Sequence, residues 1–385
     1  MSVFKRFTAA AAMVILIAVG GFAGGQGEEG AEGAQEGAQE GPQDVELEGA
    51  GASFVAPLMT AWADEYRDLT DGQVTVNYQS IGSGGGIRQF LEQTIMFGAT
   101  EAHLNDEQME QVEEETGGTA FNIPITLGAV APTFNLPDFG PGGLVFDSET
   151  IADIFLGNIT RWDDPQIAEL NPDADLPDMQ IEVVHRSDGS GTTNVWTNYL
   201  SKVSSEWEDR VGYGTSVDWP VGTGAKGNEG VAGAVMATEG AIGYNSLIYA
   251  TSNDIPYGDL INSSDNRIQA SLETAGAAAN TELPEDTRAL VTDTTAEDGW
   301  PAAGFSWVMA YEKFDENDAI SNRTQAEEVV RFLVWIVTDG QELSEGLDFA
   351  RLAERPTELG LDMIRRITFE GEPIGEEIVE EMVDM

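Results

Sequence analysis

The chain contains no cysteine. That excludes a disulfide framework, a thiolate metal site and a thiol nucleophile. Basic residues are scarce: 18 lysines and arginines stand against 68 aspartates and glutamates, for a formal charge of −50. Nucleic acid and anionic membrane both demand a basic patch, so neither is expected as a partner. Only two histidines are present, and no carboxylate–histidine cluster has metal-ligand spacing. No metal, no cofactor and no catalytic residue is therefore expected.

Residues 1–23 have the plan of a secretory signal peptide: Lys5 and Arg6, an apolar run from Thr8 to Val19, then Gly21-Phe22-Ala23. The run is shorter than the ~20 residues of a spanning helix, and a lipid anchor would need a cysteine. The expectation is an exported protein cleaved near Ala23, periplasmic or on the extracellular face of the membrane. Residues 24–46 read as a disordered acidic linker of Gly, Glu, Gln and Ala, with no large apolar residue before Val45. Setting aside eight acidic residues in 24–48 and the two basic residues of the leader leaves −44 on the body. Acidity spread over the folded part suits very high salt, where the screening length shrinks to roughly 3 Å at 1 M.

At 385 residues the chain has room for two domains. Strand-like and helix-like segments alternate along the body. Ser53 is expected to cap a helix carrying Phe54, Leu58, Trp62, Tyr66 and Leu69, with Pro57 in its first turn. Residues 73–78, 125–130 and 181–184 read as strands. Helices are expected from Gly86, after Thr192, and over 325–338. Such alternation means α/β architecture, with ligands at the carboxyl ends of strands.

Three Gly/Ser/Thr-rich stretches run into predicted helices: Gly49-Ala50-Gly51-Ala52-Ser53-Phe54, Gly82-Ser83-Gly84-Gly85-Gly86-Ile87 and Arg186-Ser187-Asp188-Gly189-Ser190-Gly191-Thr192. Helix starts carry unpaired N–H groups and the positive end of the helix dipole, and nearby hydroxyls add donors. Each stretch alone is ordinary turn chemistry; three together suggest convergence on one tetrahedral oxyanion. Arg186 offers a fork of donors suited to phosphate or carboxylate. Asp188 could orient that guanidinium, although spacing alone is equally compatible with a surface ion pair.

These three stretches resemble the signature segments of the periplasmic phosphate-binding proteins of ABC phosphate transporters. Phe155-Leu156-Gly157-Asn158-Ile159-Thr160-Arg161-Trp162-Asp163-Asp164, Gly224-Ala225-Lys226-Gly227-Asn228-Glu229-Gly230, Gly240-Ala241-Ile242-Gly243-Tyr244 and Gly299-Trp300-Pro301 agree in order and spacing. The similarity runs from about residue 47 to about 352. It implies a two-lobed type II binding protein, with two mixed sheets flanked by helices and joined by a two-strand hinge. The implied parts are 47–127 and 303–385 for lobe I and 128–302 for lobe II, closing over one dehydrated phosphate. Carried over, the resemblance gives Ser53, Phe54, Ser83, Ser190, Gly191 and Thr192 as donors and Arg186 as a clamp held by Asp188. Glu101, after Phe97-Gly98-Ala99-Thr100, stands where the family usually has an aspartate that accepts the proton of hydrogen phosphate. Gly84 stands where a second serine is frequent and His103 where proline is common. Inorganic phosphate, the permease subunits and their ATPase are the implied partners, with the protein itself monomeric.

Gly222-Thr223-Gly224-Ala225-Lys226-Gly227 matches a dinucleotide fingerprint by letters, but no good strand precedes it and no GK[ST] ending follows. A phosphate-ester hydrolase would need an activated nucleophile or a metal pair. A sensing or adhesion module could use the same cleft without a transporter, and a neighbouring permease gene would separate those readings.

Overall fold

The computed structural model describes residues 44–279 and 283–383. The expected signal peptide and most of the expected linker lie outside the described residues. In chain order the strands are β1 (Val45–Gly51), β2 (Val74–Ser80), β3 (Phe97–Thr100), β4 (Ala120–Phe134), β5 (Val145–Phe146) and β6 (Glu182–Arg186). They continue as β7 (Thr223–Ala225), β8 (Ala241–Ser246), β9 (Asp259–Ile261), β10 (Arg267–Ile268) and β11 (Ala303–Tyr311). Eight of them form one mixed sheet in the order β2-β1-β3-β11-β4-β8-β6-β7, and β10-β9-β5 form a small second sheet. The α/β class and mixed sheets are as expected. Strand β1 begins two residues ahead of the expected lobe boundary.

β4 and β11 are buried along their whole lengths of 15 and 9 residues. Both faces of each are covered, so these strands read as near-continuous apolar runs. Pro124 in β4 has no N–H to give the ladder, and there the register shifts between Ser306 and Trp307. The carbonyl of Ile125, skipped by the ladder, accepts instead from Gln341 Nε2 at 2.8 Å.

β4 also changes partner. Nine of its first ten residues pair with β11, and from Val130 onward it pairs antiparallel with β8. β1, β2 and β3 are mutually parallel, and run parallel to β4 through the intervening antiparallel β11. β6, β7 and β8 are mutually parallel and run against β4. The carboxyl ends of the two parallel groups therefore point toward each other across the middle of β4. Open α/β sheets place ligands at such strand ends, and here two sets converge.

Helices follow the strands. Ala56–Leu69 buries Leu58, Met59, Trp62 and Tyr66, and Pro57 fits its first turn. Arg323–Val337 buries Ala326, Val329, Val330 and Leu333 at helical spacing, behind Asn322, whose side chain accepts from the Gln325 N–H. Three local expectations are corrected. Ser53 caps no helix: the cap position is Val55, and it makes no side-chain cap bond. Gly49-Ala50-Gly51 is the end of a strand, not a turn. The second helix begins at Ser83 rather than Gly86, because the glycines after Ser83 continue the first turn instead of breaking it.

Candidate anion site

Five loops leave the carboxyl ends of parallel strands and meet. Ser53 follows β1, Ser83 follows β2 and Glu101 follows β3; Arg186 ends β6, and Asn228 follows β7. Ser53, Ser83, Glu101, Arg186, Ser190, Thr192 and Asn228 are each 4% exposed or less. Close backbone approach brings the first loops in. Gly51 has φ +147°, and a Cβ on it would lie 2.0 Å from the Ala99 carbonyl oxygen, so only glycine lets β1 run this tightly beside β3.

Arg186 is the charged centre. Its Nε and Nη2 donate to the two carboxylate oxygens of Asp188 at 2.8 and 2.6 Å, and its Nη1 reaches Thr192 Oγ1 at 3.4 Å. The Arg186 side chain is 1% exposed, which settles the choice between a surface pair and a held guanidinium in favour of the second. Burial works to raise the Asp188 carboxyl, but the bonds and charge of Arg186, together with the Gly227 N–H, hold it below the usual carboxylate range. A buried ion pair of this kind is better at fixing geometry than at adding stability.

Glu101 is the counterpart. Its carboxylate accepts from Ser83 Oγ at 3.2 Å and from Ser306 Oγ at 3.0 Å. Burial pushes its carboxyl up to about 7; the hydrogen bonds from Ser306 and Ser83 and the charge of Arg186 oppose that rise without cancelling it.

The other candidate residues lie on the loops that carry this pair and its neighbours. Ser190 Oγ accepts from the Thr193 N–H at 3.0 Å and caps the helix Gly191–Val203. Gly191 and Thr192 open that helix, and Gly191 packs directly on Glu101 and Ser83. Phe54 turns its ring edge-on to Phe349 in the core, which leaves its N–H as its only polar donor at this turn. Ser83 differs from expectation in one respect: its hydroxyl proton is engaged by Glu101. His103 meets Trp307 edge-to-face and His185 stacks on Trp219, so both histidines are packing residues.

Two participants carried no assigned role at the level of sequence. Asn228 bridges the loops: its Nδ2 donates to Ser53 Oγ at 3.0 Å and to Thr192 Oγ1 at 2.9 Å. It opens the helix Gly227–Ala237, a fourth instance of the glycine-turn-into-helix pattern that marked the other loops. Ser306 is the lone small hydroxyl in the apolar run of β11, a signal equally open to reading.

A sheet whose two parallel groups converge on a buried arginine and a ring of hydroxyls defines an anion-binding architecture. A family model described as a PBP superfamily domain matches residues 36–339. The chain is 38% identical over 313 residues to the phosphate-binding protein PstS of Xylella fastidiosa strain Temecula1, covering 80% of this chain and 82% of the other. It is 40% identical over 311 residues to PstS of Pasteurella multocida, covering 80% and 86%. The solved structure of PfluDING, a high-affinity periplasmic phosphate-binding protein with bound phosphate, superposes with a TM-score of 0.63 at 18% identity, covering 82% and 92%. The chain belongs to the PstS family of phosphate-binding proteins.

Proposed function

We propose that the chain captures inorganic phosphate outside the cytoplasm and presents it to an ABC-type permease and its ATPase. The observation that carries this reading is the buried convergence of Ser53, Ser83, Glu101, Arg186 with Thr192, and Asn228 from five separate loops. Phosphate enters between lobe I (47–127 and 303–385) and lobe II (128–302). The hinge reading is supported by the partner change of β4 at Val130, whose N–H donates to the Ala302 carbonyl at 2.9 Å beside the start of β11. Both chain crossings thus lie side by side.

In the closed form Arg186 supplies two-pronged charge, Ser53, Ser190 and Thr192 supply hydroxyl donors, and Phe54, Ser83 and Gly191 supply N–H donors. Charge-assisted bonds contribute ~1.5–3 kcal/mol each, and micromolar affinity needs only about 8 kcal/mol net. Glu101 accepts the proton of hydrogen phosphate. Sulfate has no proton to give, and above about pH 7, where Glu101 is ionised, it meets an unshielded carboxylate instead. A cage saturated with donors stabilises the bound ground state, which favours binding over turnover; no nucleophile with a neighbouring histidine is formed, since His103 and His185 both pack on tryptophans. Recognition by the permease follows from lobe closure, with the protein acting as a monomer.

Calorimetric titration at high salt with phosphate and with sulfate tests this reading. Micromolar or tighter phosphate binding is expected, with sulfate weaker by a margin that grows about tenfold per pH unit above about pH 7, as Glu101 ionises. Steady release of phosphate from an aryl phosphate ester would instead establish a hydrolase.

A further inference from the structure

Asn228 is wholly buried, and its amide orientation is fixed by the backbone around it. Its Oδ1 accepts from the Ser246 N–H at 2.9 Å, and its own carbonyl accepts from Asn245 Nδ2 at 2.7 Å. Nδ2 must therefore face the cage, where it can only donate. Ser53 Oγ receives two donors, the Asn228 N–H and Nδ2, both at 3.0 Å. Thr192 Oγ1 also receives two, Asn228 Nδ2 at 2.9 Å and Arg186 Nη1 at 3.4 Å. A hydroxyl has two lone pairs and one proton. With both lone pairs engaged by groups that cannot accept, each hydroxyl can only donate, and it must donate elsewhere.

On the opposite side Ser83 and Ser306 both give their protons to Glu101. The cage is thereby divided into a donor-only face, Ser53 and Thr192, and an acceptor corner around Glu101. We infer that Asn228 is a positioning residue that sets the polarity of the Ser53 and Thr192 hydroxyls, and so confines any proton on the bound anion to the Glu101 corner. This rests on the phosphate-binding reading above. Its consequence is selection among protonation states: dibasic phosphate has one proton for the corner, whereas the second proton of the monobasic ion meets a face with nothing to accept it.

The charged and titratable groups that bear on this face are few. Arg186 with Asp188 lies beside Thr192, and Tyr249 donates to the Ser53 carbonyl at 2.7 Å. Tyr78 donates to the Ala52 carbonyl and Tyr244 to Thr193 or from it. Burial raises all three tyrosines, so they stay neutral through the relevant range. Glu101 closes the opposite side, and Glu229 lies one residue beyond Asn228 on its own helix.

The test is calorimetry with inorganic phosphate from about pH 5.5 to about pH 8.5, a range that brackets the acceptor corner. It compares the parent, Asn228→Ala, Thr192→Val and the double variant, with the melting temperature of each ligand-free protein recorded. Freed of Asn228, both hydroxyls can accept as well as donate. Asn228→Ala should weaken binding about tenfold at the alkaline end and less than about threefold at the acid end, so its pH profile is shallower than the parent's. In the Thr192→Val background the effect of Asn228→Ala should shrink to the part carried by Ser53, because the Thr192 hydroxyl is already gone. If Asn228→Ala does not fold, Thr192→Val alone must show the same pH-graded loss, since it removes one outward proton and leaves Asn228 in place. Parallel pH profiles, or additive losses in the cycle, would overturn the inference while leaving phosphate binding intact. Absence of phosphate binding by the parent at every pH would overturn the functional reading itself.

Discussion

Gly191 sits against Glu101 so closely that a Cβ on it would lie 2.4 Å from Glu101 Oε2, 2.6 Å from Ser83 Oγ and 2.7 Å from the Glu101 backbone nitrogen. Gly191 opens the helix after β6, and Glu101 directly follows β3, so this contact ties the two parallel groups of strands together. One of the three neighbours is backbone and cannot swing aside. Gly191→Ala is therefore expected to obstruct closure more than folding. Phosphate affinity should fall by at least ~30-fold, about 2 kcal/mol, in keeping with the ~1–3 kcal/mol cost of overpacking. The melting temperature of the ligand-free protein should change little. Calorimetry and thermal melts measured together check both halves of that expectation; a large drop in melting temperature with unchanged affinity would mean that the contact belongs to the fold alone.

Glu101 makes stability depend on pH. Its carboxyl is raised to about 7 in the folded protein, mainly by burial, against 4.5 as its ordinary value. A group whose folded pKa lies above its unfolded one favours folding fully below the unfolded value, and that contribution is lost as pH rises through the folded one. Between about pH 4.5 and pH 7 the slope is therefore roughly 1.4 kcal/mol lost per pH unit from this one group. Glu101→Gln should remove that component, so the gap between parent and variant melting curves should widen toward alkaline pH. Equal pH dependence in the two proteins would rule out Glu101 as its source.

The same substitution bears on selectivity. A glutamine amide can donate where the carboxylate can only accept. Glu101→Gln should weaken phosphate by about 10- to 100-fold and tighten sulfate by a similar factor, on ~1.5–3 kcal/mol per charge-assisted bond. Competition titration of the two anions against the variant reads this directly. Undiminished rejection of sulfate would point to another determinant.

The charge of −44 on the body repels an anion at long range. Screening shortens that reach from ~10 Å at 0.1 M to ~3 Å at 1 M salt. Stopped-flow association of phosphate should accelerate several-fold over that range. A rate that falls with salt would indicate a locally positive funnel overriding the net charge.

Much of this was legible before any coordinates. The alternation of apolar strands and amphipathic helices gave the α/β class, and the glycine-rich turns marked three of the five converging loops. A serine ahead of a helix resembles a cap whatever its hydroxyl does; at Ser53 the hydroxyl is claimed instead by Asn228, distant by 175 residues. The glycines of 49–51 and 84–86 looked like turn material. They are strand and helix instead, and smallness is needed where the two cross, since a Cβ on Gly86 would lie 2.5 Å from the Gly51 Cα. Asn228 and Ser306 escaped notice for a common reason. Their importance lies in partners that only tertiary packing supplies, and neither residue type is distinctive on its own.

The central claim is that five strand-end loops enclose one phosphate. A crystal structure of the protein grown with phosphate tests it most directly. The account predicts a tetrahedral anion within hydrogen-bonding distance, ~2.6–3.2 Å, of Arg186, Ser53 Oγ, Thr192 Oγ1, the Gly191 N–H and a Glu101 carboxylate oxygen, with Asn228 touching both hydroxyls but not the anion. An anion bound elsewhere, or one at this place that leaves Arg186 and Glu101 without contact, would contradict it.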